Sequence, residues 1–135
     1  MKDCIFCKIV AGELPSIKVY EDDSTIALLT VQPVNTGHTL VMPKEHVRNV
    51  FEASSEAWGK VQETVRKVAG AVEKGMGADG VNIMMNNRIH AGQVVDHIHM
   101  HIIPRYKGDG LQLWPHHSRN EDEGEPVAEK IRAAI

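Results

Sequence analysis

Between residues 94 and 105 the chain reads VVDHIHMHIIPR, which places His97, His99 and His101 at alternate positions. That spacing constrains the backbone. In an extended strand, side chains at i, i+2 and i+4 share one face. The three imidazoles then line one side, while Ile98, Met100 and Ile102 enter a core on the other. On a helix each two-residue step turns about 200°, which scatters the three around the axis. To act together they require a strand. Such a face reads in three ways: a solvated polar surface, a metal site built on His-x-His, or acid–base and nucleophilic chemistry, which suits a neutral imidazole near pH 7. The first is the weakest, because Thr, Lys or Glu would serve water equally well.

The 135 residues predict one domain over 1–135 with room for a real core. A net charge of −3 gives no basic surface, so a nucleic-acid duplex is not an expected partner. MKDCIFCKIV has no apolar secretory core, and no apolar run approaches the roughly 20 residues that span a bilayer. The expected compartment is the cytoplasm, with no membrane partner. There a disulfide between Cys4 and Cys7, the chain's two cysteines, is not expected. Metal binding, redox chemistry and inert thiols stay open.

Along the chain, CKIVAGELP predicts a short helix stopped by Gly12 and Pro15. KVYEDD and STIALLT predict two strands around an acidic turn, and TLVMP, 39–43, a third. Ser54 or Ser55 caps a helix whose apolar stripe is Trp58, Val61, Val65, Val68 and Val72, ended by Gly75 and Gly77. DGVNIMMNN, 79–87, predicts a strand leading into the loop NNRIHAGQ, and EPVAEKIRAAI a final helix. Connections too short for repeated parallel crossovers favour an antiparallel α+β domain.

The segment from His97 to Ile103 resembles the signature of the histidine triad (HIT) family, His-φ-His-φ-His-φ-φ with φ apolar. GHTLVMPKEH at 37–46, the stretch from Asn86 to Gln93, and CIFCKIVAGELP near the start resemble family segments, in the family's order. The likeness covers about residues 3–106, with GDGLQLW at 108–114 a weaker continuation. It is closest to the small bacterial and archaeal branch that carries Cys-x-x-Cys. This resemblance implies a five-stranded antiparallel sheet with one long helix and a C-terminal helix. It also implies a zinc-binding segment over about 3–14, a tail over about 107–135, and a homodimer in which the sheets join and the long helices pack.

The resemblance further implies a nucleotidyl hydrolase or transferase. It would attack the α-phosphate of a purine nucleotide conjugate, such as a phosphoramidate, a dinucleoside polyphosphate or adenylyl sulfate, and release a nucleoside monophosphate. His99 is then the nucleophile that carries the nucleotidyl group, its tautomer held by the backbone carbonyl of His97. His101 donates to a non-bridging phosphate oxygen, and His38 completes the site. Gln93 contacts phosphate or leaving group, Asn86 lies beside ribose and phosphate, and Gly92 lets backbone approach the phosphate.

Two positions depart from the pattern. Thr30 stands where many relatives hold an acidic residue for the ribose, and a hydroxyl lacks the charge-assisted pair of bonds. Val94 stands where Ser or Thr often follows the glutamine, and valine has no proton to give. The resemblance also names a structural zinc on Cys4, Cys7, His46 and His97. A thioredoxin-type pair would need a preceding strand, whereas CIFC follows only MKD. Two rivals stand beside the enzyme: a zinc-stabilised nucleotide-binding protein with little turnover, and a catalytic metal held by the triad. His116 and His117 read as surface residues, as His90 can, and Trp114 as core, interface or a neighbour of the partner's nucleotide site.

Overall fold

The stripe from Trp58 to Val72 forms the helix against which the sheet packs. A computed structural model describes residues 3–135 and places this helix, α2, at Ser55–Met76. Ser54 caps it, its hydroxyl accepting the Ala57 N–H at 3.1 Å. Gly75 lies inside, and the helix stops at Gly77, whose left-handed φ of 59° turns the chain out. Val61, Val65, Val68 and Val72 are buried, each stabilising by roughly 1.5–3 kcal/mol. Their partners on the sheet are Ala27, Val41, Met100 and Ile102.

Five strands form that sheet: β1 (Lys18–Glu21), β2 (Thr25–Leu29), β3 (Thr39–Pro43), β4 (Gly80–Met84) and β5 (Met100–Arg105). Their order is β1-β2-β3-β5-β4, with every pair antiparallel. The second face carries Ile26, Leu28, Leu40 and Met42, covered by Phe6 and Ile9 of α1 (Ile5–Val10). All five residues of β3 are buried, since both faces are covered. His101 pairs with Leu40 and so lies on the α1 face. The histidine side of the triad therefore faces packed protein, against the solvated reading.

Three elements differ from expectation. The ladder of β5 begins at Met100, so only His101 of the triad belongs to it. His97 and His99 lie on its approach, where the Ile98 N–H donates to Val47 O at 2.7 Å, holding the chain to the segment after β3. The first helix starts earlier, because the Cys4 sulfur accepts the Cys7 N–H and caps it. A 3-10 turn, Ile89–Ala91, interrupts the loop before the triad. The final helix, α3 (Gly124–Arg132), buries none of its residues. Among the described residues, no helix is long and apolar enough to cross a membrane.

Candidate active site and metal centre

Helix α1 and the chain after β3 converge on the approach to β5, and four ligand-type side chains meet there. The sulfurs of Cys4 and Cys7 and one ring nitrogen each of His46 and His97 lie within 4.8 Å of one another. Cys4 Sγ is 3.5 Å from His97 Nδ1, and Cys7 Sγ is 3.2 Å from His46 Nδ1 and 3.6 Å from His97 Nδ1. Ordinary zinc–sulfur and zinc–nitrogen bonds around a tetrahedral ion give a sulfur-to-nitrogen edge of about 3.6 Å. The ring of His97 is set for this use. Its Nε2–H donates to Pro43 O at 2.8 Å, which leaves Nδ1 as the lone pair facing the sulfurs. Burial pushes His97 down to about 4, so the ring is neutral. Without a cation, burial and the adjacent Cys4 sulfur raise the Cys7 thiol; a divalent ion reverses that balance. The donor set fits zinc in a closed structural site, with no fifth ligand in the cluster among the described residues.

A second group of imidazoles lies beside the first. His99 Nδ1–H donates to His97 O at 2.7 Å, leaving Nε2 with the lone pair. His38, immediately before β3, and His101 form a chain whose protons the backbone assigns. The Val34 N–H donates to His38 Nδ1 at 3.1 Å, so His38 carries its proton on Nε2. That proton is donated to His101 Nδ1 at 2.9 Å, so His101 carries its own on Nε2. Burial lowers His38 and His99, and burial with the neighbouring rings lowers His101 to about 4. All three are neutral at pH 7. The rings of His99 and His101 lie 5.0 Å apart. Phe6, between the two cysteines, sets its ring steeply inclined to those of both His97 (5.8 Å) and His99 (5.1 Å).

The loop ahead of the triad is braced by one buried side chain. Gln93 is buried, and backbone groups occupy its amide. Its oxygen accepts the Arg88 N–H at 2.7 Å, and its nitrogen donates to Val95 O and Arg48 O. The side chain thus ties three backbone segments together. Arg88, the one non-glycine residue at positive φ among those described, is held at 74° by this tie. Asn86 donates to Gly92 O at 3.3 Å, and Gly92 has φ 93°. Thr30 sits beside His38, donating its N–H to His38 O, while its hydroxyl accepts the Gln32 N–H. Val94 is 87% exposed, and Trp114 78%. His90, His116 and His117 are exposed and lie outside the four-ligand cluster.

Sequence reasoning missed the groups that hold these rings. The Pro43 carbonyl and Val34 N–H are backbone atoms without any residue-type signature. Phe6 was legible only as an aromatic inside Cys-x-x-Cys.

Fold and site together define an α+β protein in which a closed Cys2His2 centre stands beside three neutral, hydrogen-bond-oriented histidines. Residues 11–108 match the HIT domain model, and the chain belongs to the HIT family. A solved Streptococcus mutans structure is 43% identical, with a TM-score of 0.95 over 100% of this chain and 87% of that one. The adenosine 5'-monophosphoramidase hnt1 of Schizosaccharomyces pombe is 38% identical over 98% of both chains. A zinc-bound family structure from Mycobacterium smegmatis is 34% identical, with a TM-score of 0.79 over 99% of both chains.

Proposed function

We propose that this chain hydrolyses or transfers the nucleotidyl group of a purine nucleotide conjugate, through a covalent bond between His99 Nε2 and the α-phosphorus. The observation that carries the reading is the 2.7 Å bond from His99 Nδ1–H to His97 O. It fixes the tautomer that leaves Nε2 nucleophilic and stabilises the positive charge the ring acquires on attack. The Nε2 lone pair forms the N–P bond while the bond from phosphorus to the leaving group breaks, its electron pair departing with that group. Water then attacks phosphorus and gives up a proton to solvent, the P–Nε2 bond breaks, and the ring recovers its lone pair. Two in-line displacements give net retention at phosphorus. The His101 Nε2–H, made a donor by His38, meets a non-bridging oxygen whose charge grows in each transition state. Asn86 and Gly92 support the ribose–phosphate side, and Thr30 offers the ribose one hydroxyl. Gln93 acts here by holding the loop.

Zinc on Cys4, Cys7, His46 and His97 supplies a structural cross-link when bound. The ligand geometry and the zinc-bound M. smegmatis relative support it. The S. pombe phosphoramidase supports the reaction class. A homodimer belongs to the same reading; Val127 and Ile131 of α3 are 49% and 60% exposed, open to a second copy.

Denaturing mass spectrometry after mixing with an AMP phosphoramidate tests the reaction. A nucleotidyl adduct absent in His99→Ala, decaying to AMP, is the expected result. AMP binding with neither adduct nor release overturns it in favour of a nucleotide-binding protein with little turnover, the reading to which Thr30 and Val94 lend weight.

A further inference from the structure

The His38 end of the proton chain depends on the loop between β2 and β3, and that loop is anchored far along the sequence. His38 N–H donates to Asn35 O at 3.0 Å, in the same turn whose Val34 N–H sets the His38 tautomer. The Asn35 side chain reaches the last residues of β5 and the turn beyond, donating to Pro104 O at 2.9 Å and to Asp109 Oδ2 at 3.1 Å. Asp109, its side chain 7% exposed, is itself fixed. Arg105 donates to its two oxygens at 2.7 and 3.1 Å, and the N–H groups of Tyr106 and Leu111 add two more bonds. The remaining Arg105 donors meet Asn82 Oδ1 on β4 and Leu111 O.

We propose that Asn35, clamped by the Arg105–Asp109 pair, is a positioning residue that holds His38 and His101 in one proton arrangement. The inference rests on the reading of His101 as the phosphate donor. Its geometric content is that one network sets both members of the pair. Arg105 ends the strand that carries His101, and Asn35 precedes His38 by three residues. Without the Asn35 side chain the turn loses its bonds to Pro104 and Asp109 and keeps, ahead of the β3–β5 ladder that starts at Thr39, the contact between the two rings. Val34 N–H is then free to leave His38 Nδ1, and the two rings exchange tautomers. His101 presents a bare nitrogen to the phosphate for part of the time. His99 has a separate anchor, the His97 carbonyl, so its tautomer stays fixed.

Long-range 15N–1H correlation spectra of the zinc-loaded protein, taken well below its melting temperature, read the tautomers directly. In wild type His38 and His101 are expected as single Nε2–H species, and His99 as Nδ1–H. In Asn35→Ala the first two become mixtures while His99 is unchanged. With an AMP phosphoramidate, kcat falls about tenfold, a fraction of the 10²–10³ measured for loss of an oxyanion donor, and KM stays within about twofold. Asp109→Asn, which weakens the clamp but keeps its shape, gives the same spectral change in smaller proportion. It replaces Asn35→Ala should that variant not fold. Single tautomers at His38 and His101 in the variants overturn the proposal, and so does loss of order at His99 together with them, since that is general loosening. The spectra decide this even if wild type shows no turnover, a result that removes only the proposed reaction.

Discussion

His101 is half-buried between two other imidazoles, and its neutral state makes acid the perturbation of choice. Burial, with His99 and His38 close by, lowers it from an ordinary 6.5 to about 4. The sign follows from proton counting. Below pH 6.5 the unfolded chain binds a proton here that the folded chain refuses, so stability is full above 6.5 and is lost as pH falls toward 4. The complete gap corresponds to about 3 kcal/mol, and about 2 kcal/mol of it falls between pH 7 and pH 5. Urea unfolding of the zinc-loaded protein, measured in half-unit steps over that range, gives the slope. His101→Gln keeps a side chain able to accept the His38 Nε2–H but does not titrate. The wild-type curve should therefore fall toward pH 5 more steeply than the variant's by about 2 kcal/mol. Subtraction removes the groups remote from His101, and because the His38 and His99 rings couple to it, the difference reports the coupled cluster. Parallel curves, agreeing within about 0.5 kcal/mol at every pH, would mean that His101 is not held neutral, and the assigned chain of protons would fall with it.

Cys4→Ser should lower the melting temperature by about 10 °C, equivalent to about 3 kcal/mol in a domain of this size. Turnover well below melting should change less than about threefold, because the metal only cross-links. Activity that vanishes on mild chelation of still-folded protein and returns with metal would instead put the ion in the chemistry. Gly37→Ala forces a side chain into φ 96° immediately before His38 and should cost about 1–2 kcal/mol in thermal unfolding. The Met76 side chain 2.8 Å away is flexible, so adding Met76→Ala should not restore the loss; full restoration would show crowding rather than φ at fault. Gly92→Ala, at φ 93° with Asn86 Nδ2 3.3 Å from the new carbon, should raise KM more than it lowers kcat if Asn86 holds the proposed place beside ribose and phosphate. An unchanged KM in steady-state assays would remove Asn86 from the substrate face.

Most of the fold was legible because its signals are local. The valine stripe, the Ser54 cap and the period-two run after His99 each express a geometry in a few consecutive residues. Gly75 misled because a glycine inside a helix is tolerated at about 1 kcal/mol, whereas the left-handed turn at Gly77 ends it. The triad was read as one strand, yet β5 starts at Met100, because a non-local bond from Ile98 to Val47 draws the preceding chain aside. The four metal ligands come together as the resemblance implied. The backbone partners of Gln93 were not legible, because which partner an amide chooses depends on backbone brought near by folding. Arg105 and Asp109 stand four apart in PRYKGD, a spacing visible in sequence, but their link to Asn35 crosses about seventy residues.

The ring of Phe6 belongs to two neighbourhoods at once, steeply inclined to the imidazole of His97 in the metal cluster and to that of His99. A metal-free redesign of this scaffold therefore cannot stop at exchanging the four ligands for apolar residues of matching volume. The short helix that carries the ring is capped by one of the sulfurs to be removed, so a substitute cap, such as Ser or Asp at position 4, has to keep that helix's first turn in place.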